Sequence, residues 1–170
     1  IDPVPIAISE LPNDGFNTKE PENKIRDVII NDLERSGLFR SIKSEAFIEK
    51  ISGNTMPNFV SWRNLNAVGL LTGDIKRNGS DIQVFFRFWD VYGEKQLAGR
   101  SYNAKESNWR RVAHMIADEI YKAMTGEEGY FDTRIVYVSE TGPSIKRVKR
   151  LAIMDQDGAN HKFLTDGKSM

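Results

Sequence analysis

The residues best suited to chemistry lie near the end of the sequence, in the stretch LAIMDQDGANHKFLT. Asp155 and Asp157 precede Gly158 there, as acidic ligands do in a calcium-binding loop. An EF-hand loop needs oxygen ligands at its first, third and fifth positions, glycine at its sixth and glutamate at its twelfth. With Gly158 at the sixth position, the first falls on Ile153 and the twelfth on Leu164, and neither side chain can bind a metal ion. The spacing therefore excludes an EF-hand.

A catalytic acid pair and a simple turn are the other two interpretations of this stretch. General acid–base catalysis needs groups that converge on a substrate and have perturbed pKa values. The sequence around Asp155 and Asp157 shows no such combination of base, nucleophile and pocket. Asp157 and Gly158 between two β-rich runs are instead typical of a hairpin turn. We therefore predict a β-hairpin.

The two histidines also lack the spacing of a site. His114 and His161 belong to different predicted elements, and neither has a second histidine at ligand spacing. His114 and Asp118 lie on one predicted helix at a spacing that could pair them on its polar side. Phosphate-binding glycine loops and the G-x-S-x-G and H-E-x-x-H motifs are absent from the sequence. We predict that the chain is not an enzyme and has no catalytic, cofactor-binding or metal-binding residue.

Positive charge is concentrated only in the segment IKRVKR and in Arg110 and Arg111. Such patches bind nucleic acid when aromatic residues accompany them. The whole chain, however, has 24 basic and 24 acidic residues and a formal net charge of zero. On a balanced chain the segment is typical of a solvated strand edge, where basic side chains discourage aggregation. The prediction is no nucleic-acid partner.

Length and composition are those of an ordinary globular protein. The 170 residues suffice for one domain, or for one domain with an appendage, and 39% of them are hydrophobic. The absence of cysteine excludes disulfides and thiolate chemistry. No apolar run approaches the roughly 20 residues of a membrane helix, so we expect no direct membrane insertion.

Two helices are predicted from apolar periodicity. The first has apolar residues at helical spacing from Ile25 to Leu33, with Thr18 as a candidate N-cap and Gly37 beyond its end. The second lies in SNWRRVAHMIADEIYKAMTG, carries one apolar stripe and ends at Gly126. A brief helix in FVSWRNLN is expected to bury two aromatic side chains.

Strands are predicted before, between and after these helices. PVPIAISEL alternates apolar with small or polar residues, and LFRSI follows the first helix. AVGLLTGDI, IQVFFRFWDV and QLAGRSYNAK form a three-stranded antiparallel meander, with Asn78 and Gly79 favouring the first hairpin turn. DTRIVYVSE, VKRLAIMD and HKFLT are further strands. The expected fold class is α/β (α+β), with two main helices packed on a small mixed sheet.

The middle strand of the meander is apolar on both faces. One face carries alternate residues from Ile82 to Phe88, and the other carries Phe85 and Trp89. A strand that is apolar on both faces is usually covered on both. The helices supply one cover. The second cover could be another domain, an oligomer partner or the long loop of residues 43–58, and the sequence does not distinguish between these three.

The segment WRRVAHMIADEIYKAMTGEEGYFDTRIVYV resembles the TolB family, periplasmic components of the Tol-Pal envelope system. In that family a helix ends in Thr-Gly, and a Gly-x-Phe-x-Thr-Arg-Ile-x-Tyr-Val strand follows. The sequence from Thr125 to Val138 matches this pattern. PIAI, IINDLERSGLFRSI, the GLLTGDI and FRFWDV hairpin, and LAIMDQDGANHKFLTDG are similar to other family segments, so the resemblance covers nearly the whole chain.

The resemblance implies two domains and a scaffolding function. Residues 1–132 would form an α/β domain similar to anticodon-binding domains, and residues 133–170 a linker strand and the first-blade fragment of a truncated β-propeller. The family is non-catalytic and uses no cofactor. It links TolA to the lipoprotein Pal in the Gram-negative periplasm, which serves outer-membrane integrity, cell division and protein transport. TolA and Pal are thus the implied partners, although their binding regions are expected to be largely absent from this chain.

Five residues form the candidate interdomain or partner surface, namely Phe85, Trp89, Tyr130, Phe131 and Arg134. The doubly apolar strand motivates the first two, and the Tyr-Phe pair at the implied domain junction motivates the others. Ordinary core packing is the alternative for all of them.

Two other function classes stay open. A stand-alone RNA-binding module would share the implied fold, because fold does not determine function. A fragment of a propeller hydrolase is the third class.

The strands between Arg147 and Thr165 are expected to lack pairing partners, which predicts self-association through open edges.

Overall fold

The computed structural model describes residues 1–14 and 20–168. Thr18, the candidate N-cap, lies outside these residues. The chain divides into two compact units, Ile1–Gly129 and Tyr130–Met170. The boundary predicted between residues 132 and 133 lies just beyond this division.

A mixed sheet forms the framework of the first unit. Its strands are β1 (Val4–Ile8), β2 (Asn13–Asp14), β3 (Phe39–Ser41), β4 (Gly69–Asn78), β5 (Asp81–Asp90) and β6 (Lys95–Lys105). They lie in the order β3-β1-β4-β5-β6, and β2 pairs with β4. β1 is parallel to both of its neighbours, whereas β4, β5 and β6 form the predicted antiparallel meander. The mixed sheet is confirmed, and β2 is a short strand that was not among those predicted.

The helices are α1 (Glu20–Arg35), α2 (Phe59–Arg63) and α3 (Trp109–Thr125). Both long helices end where glycine predicts, since Gly37 and Gly126 have φ values of 76° and 78°. That left-handed conformation closes a helix and is open to glycine without the steric cost of a side chain. The predicted brief helix is α2, which buries Phe59 and Trp62.

One core lies between the sheet and the two long helices. Alternate side chains of β5 point into it and are almost fully buried, namely Ile82, Val84, Phe86 and Phe88. The apolar stripes of the helices meet them, with Ile25 and Ile29 of α1 and Ile116 and Ile120 of α3 all inaccessible to solvent. The alternation read from the sequence therefore identifies the helix-facing side of β5.

A second core covers the opposite face of the sheet, and it comes from the chain itself. Its buried members are Ala7, Ile51, Phe59, Trp62, Ala67, Leu70, Trp89 and Val91. The Phe59 and Trp89 rings meet edge to face with centroids 5.8 Å apart, and Phe47 meets Trp62 in the same way at 5.0 Å. The long loop and α2 are therefore the second cover that the sequence left open.

The first hairpin turn of the meander differs by one position from the prediction. Asn78 pairs with Asp81, so the two turn residues are Gly79 and Ser80 instead of Asn78 and Gly79. Gly79 has a φ of 63°. Glycine at the first central position is the preference of a type II′ turn. The hairpin is as predicted, but its turn is centred on the next pair of residues.

The second unit is a three-stranded antiparallel sheet. It contains β7 (Arg134–Thr141), β8 (Val148–Asp155) and β9 (Lys162–Phe163), with β8 in the middle. Leu164 extends the contact by donating its N–H to the Leu151 carbonyl oxygen at 2.7 Å. The expectation of unpaired strands between Arg147 and Thr165 is therefore wrong, because β8 has a partner on each side. Self-association of this region stays a prediction.

Candidate functional site

The carboxylates of the DQDGAN turn stabilise the turn itself. Asn160 donates its side-chain N–H to Asp155 Oδ2 at 2.7 Å, and the Ala159 N–H donates to Asp157 Oδ1 at 3.1 Å. The Gly158 N–H bonds the Asp155 carbonyl oxygen at 2.9 Å, and Gly158 has a φ of 86°. Side chains of this type replace missing backbone partners in turns. The predicted connection between two strands is therefore confirmed, with the acidic residues bonded inside it.

His114 does not lie on the polar side of its helix. Its side chain is 3% exposed, and its Nδ1 lies 2.5 Å from Oδ2 of Asp32 on α1, whose side chain is fully buried. Arg35 donates to the other oxygen of Asp32 at 2.9 Å. The predicted pairing of His114 with Asp118 on the polar side is wrong in its placement, because α1 covers the side of α3 that carries His114.

The contact between Asp32 and His114 is one that the sequence analysis missed. The available signal is the position of Asp32, which follows Val28 and Ile29 at helical spacing and so falls on the apolar stripe of α1. A buried carboxylate needs a charged or hydrogen-bonding partner, and His114 supplies one from α3. Histidine beside aspartate also occurs in catalytic triads, but burial of both side chains denies a substrate access. The pair acts as a polar link between helices.

His161 lies in the second unit, beside aromatic rings. Its ring centroid is 4.8 Å from that of Phe163, edge to face, and 5.9 Å from that of Tyr137. These contacts are those of a packing residue at the end of a turn.

Trp89 and Phe85 hold different positions on the second face of the sheet. Trp89 is 4% exposed, belongs to the second core and donates its indole N–H to Thr72 Oγ1 at 3.1 Å. Phe85 is half-buried, and the Arg87 guanidinium lies over its ring at 5.3 Å from the centroid. Phe85 therefore retains surface that a partner could contact, whereas Trp89 retains almost none.

The remaining three candidates lie at the start of the second unit. Tyr130 is 45% exposed and its ring is 4.6 Å from that of Phe131, which is inaccessible to solvent. The Arg134 side chain is 67% exposed, with its Nε 3.7 Å from Asp155 Oδ1. Tyr130 and Arg134 are thus available to a partner. A partner-binding role for any of the five candidates stays a prediction.

The basic segment is largely engaged within the β7–β8 hairpin. Glu140 accepts from Arg147 at 2.8 Å and lies 3.1 Å from the Lys149 ammonium. The Arg150 guanidinium lies over the Phe163 ring at 4.9 Å from its centroid. These contacts reduce the charge that the segment could present to phosphates.

The TolB amino-terminal domain family model matches residues 1–97, so more than half of the chain. The chain belongs to this family, whose members are components of the Tol-Pal system of the periplasm. Among the described residues, no helix combines the length and apolar character needed to cross a membrane.

Solved structures extend the comparison beyond the family model. TolB from Acinetobacter baumannii is similar over 96% of this chain and 38% of its own, with a TM-score of 0.80 and 28% sequence identity. The chain therefore spans well under half of that protein's length. Two other structures are more distant. The LpoB C-terminal domain from Salmonella enterica has 11% sequence identity and a TM-score of 0.47, over 60% of this chain and 82% of that one. PelC from Paraburkholderia phytofirmans has 16% sequence identity and a TM-score of 0.47, over 73% of this chain and 90% of that one.

Proposed function

We propose that the chain is the amino-terminal part of a TolB-like periplasmic scaffold that links TolA to Pal. One observation carries the proposal. The similarity to TolB from Acinetobacter baumannii covers 96% of this chain and includes both compact units, whereas the family model covers only residues 1–97. A similarity that continues through the second unit supports TolB-like organisation over that of an isolated α/β domain.

The second unit supports the propeller assignment through its exposed apolar residues. Val136 and Val138 of β7 are 56% and 50% exposed, and Phe163 of β9 is 41% exposed. A propeller blade is a four-stranded sheet whose faces pack on neighbouring blades. We infer that β7, β8 and β9 are strands of a first blade, and that the exposed side chains would meet sheets elsewhere in a complete propeller.

A non-catalytic role fits the contacts of the acidic residues and histidines. The two histidines and the carboxylates of the turn bond or pack against residues of their own unit. A scaffold protein needs partner-binding surfaces, whereas an enzyme of the hydrolase type needs an activated nucleophile. Outer-membrane integrity, cell division and protein transport would then depend on the chain through its partners.

The proposal is tested with the complete protein that contains this chain, in its own bacterium. Site-specific photo-crosslinking should trap TolA and Pal, and depletion of the protein should cause detergent sensitivity and release of periplasmic enzymes. A depleted strain with an intact envelope, together with no crosslink to either protein, would contradict the proposal.

An RNA-binding module remains the alternative function. Its support is the basic segment, which Glu140 partly neutralises. Binding to phosphates is strongest at low salt, because it releases counterions. Absence of RNA binding in low-salt buffer would exclude this alternative, whereas salt-sensitive binding lost on neutralising Lys146 and Arg150 would favour it.

A further inference from the structure

The outer edge of β6 is the longest open strand edge in the described part of the first unit. β6 spans Lys95–Lys105 and stands at the end of the strand order, with β5 on its inner side and no described strand on its outer side. Its side chains are exposed or half-buried along the whole strand. Natural proteins usually shorten, twist or cover such an edge, because unpaired backbone groups can recruit another strand.

The backbone groups that face outward follow from the strand register. Glu106 donates its N–H to the Ser80 carbonyl oxygen at 2.8 Å, and the pairing with β5 continues without a break to Ala98. Hydrogen-bonded and non-hydrogen-bonded pairs alternate in an antiparallel ladder. Gly99, Ser101 and Asn103 therefore direct their N–H and C=O groups away from β5, in a row that matches one side of an extended strand.

The charge of β6 indicates which kind of strand could pair with its outer edge. It carries Lys95, Arg100 and Lys105 and no acidic residue. The side chains of Arg100 and Lys105 are 60% and 64% exposed. Their partners Glu119 and Asp81, at 3.3 Å and 2.7 Å, form surface pairs. Such pairs contribute about 1 kcal/mol or less, so an incoming carboxylate can replace them.

We propose that the outer edge of β6 binds an extended acidic segment of another protein by strand addition. Main-chain hydrogen bonds to Gly99, Ser101 and Asn103 provide affinity, and carboxylates beside Arg100 and Lys105 provide selectivity. This is the general mode in which sheets bind extended peptides. The proposal does not depend on the function proposed above.

A second copy of the chain is a poorer occupant of the same edge. Antiparallel pairing of β6 with its copy about the centre of the strand would place Arg100 opposite Arg100 and Lys95 opposite Lys105. Like charges directly opposite each other destabilise a strand pair. The charges that favour an acidic segment therefore oppose self-pairing.

The test uses the full chain and a short peptide of repeated Glu-Thr-Val, whose carboxylates fall on both faces of a strand. Binding is followed by NMR titration. The largest amide shifts should occur at Gly99, Ser101 and Asn103, and a Lys-Thr-Val peptide of equal length should bind at least about tenfold more weakly, a difference of roughly 1.4 kcal/mol.

The variant Ser101→Pro removes one outward N–H and leaves the backbone bonds between β6 and β5 intact. It also removes the bond that the Gln83 side chain donates to Ser101 Oγ, but the Ser101→Ala control loses that bond equally. Ser101→Pro should weaken binding of the acidic peptide about tenfold, because an edge proline blocks strand addition. Ser101→Ala is the matched control and should bind as the parent chain does, with both folds checked by amide dispersion. Equal binding by Ser101→Pro, equal binding of the basic peptide, or shifts elsewhere would overturn the proposal. So would self-association that Ser101→Pro abolishes.

Discussion

The buried contact between Asp32 and His114 joins the two long helices of the first unit. Both side chains are almost fully removed from solvent, and Arg35 bonds the second carboxylate oxygen. Removing one member of a buried polar pair leaves the other without its partner in a medium that solvates it poorly. The pair therefore contributes to the specificity of helix packing and makes its two positions sensitive to substitution.

Asp32→Ala should lower the free energy of unfolding by about 3 kcal/mol, because it removes the buried carboxylate that bonds both His114 and Arg35. Urea unfolding followed by tryptophan fluorescence measures this, since Trp62, Trp89 and Trp109 all lie in the first unit. Asp27→Ala on the exposed side of the same helix is the control and should change stability by no more than about 0.5 kcal/mol. Equal effects of the two substitutions would contradict a structural role for the pair.

The protonation of Glu140 is linked to the stability of the second unit. The Arg147 guanidinium, by its hydrogen bond, and then the Lys149 ammonium hold the pKa of Glu140 below its usual value. A lowered folded-state pKa contributes stability above the unfolded-state pKa, and this is lost as the pH falls through the folded-state value. The β7–β8 hairpin should therefore weaken in acid.

NMR titration of the Glu140 side-chain carboxyl tests this cause. Arg147→Gln should raise the pKa of Glu140 toward its ordinary value, because it removes the hydrogen bond that is the largest single cause, and Lys149→Gln should also raise it, because it removes a hydrogen bond and a charge. Lys146→Gln removes a charge from the same segment without removing a described bond to Glu140, and serves as the control. A larger shift in the control than in Arg147→Gln would refute the assignment.

At the scale of elements, the loop and α2 act as the cover of the second sheet face. Glu49 connects them, since Trp62 donates its indole N–H to Oε2 at 2.6 Å and the Asn58 N–H donates to the same carboxylate at 3.1 Å. α2 is too short to be stable without such contacts. Its position on the sheet therefore depends on the two aromatic side chains it buries and on this carboxylate.

Glu49→Ala should lower the free energy of unfolding by about 1–2 kcal/mol, because two charge-assisted hydrogen bonds are lost at a partly exposed position. The Trp62 environment should change with it, which tryptophan fluorescence of the folded state detects. Glu45→Ala, an exposed position in the same loop, is the control. Glu49→Gln keeps an acceptor oxygen and should retain part of the stability. A control that costs as much as Glu49→Ala would show that the loss is not specific to these bonds.

At the scale of the whole molecule, the two units differ in how much core they contain. Ile1–Gly129 has a sheet with an apolar core on each face. Tyr130–Met170 has three strands, and several apolar side chains of the unit are exposed. Small isolated sheets bury too little apolar surface to be independently stable. The capacity to fold alone should therefore lie in the first unit.

A fragment of residues 1–132 should fold by itself, with amide dispersion and tryptophan fluorescence like those of the full chain. Residues 130–170 alone should be unfolded, because the strands of this unit lack a core of sufficient size. Circular dichroism and NMR of both fragments measure the difference. A well-dispersed spectrum from the shorter fragment, or an unfolded longer fragment, would contradict this division of stability.

Local patterns in the sequence determined much of the fold. Apolar spacing predicted α1 and α3. The glycines Gly37 and Gly126 predicted where these helices end, and both have the left-handed backbone of a helix end. Alternation and turn residues predicted the meander and the hairpin after Asp155. These features are encoded within short windows, because helix and strand periodicity depend on neighbouring residues. Local patterns do not show which residues of the candidate surface are buried: Trp89 packs in the second core against residues far along the chain, and Phe131 is inaccessible to solvent.

Tertiary structure decided the features that join distant segments. Only the fold places β1 between β3 and β4, brings Asp32 to His114, and sets the long loop over Trp89. It also leaves the edge of β6 open, because strand order is a property of the sheet as a whole. The physical reason is that each of these segments could contact several others that have similar local patterns. Which contact forms depends on the burial and hydrogen bonding of the complete unit.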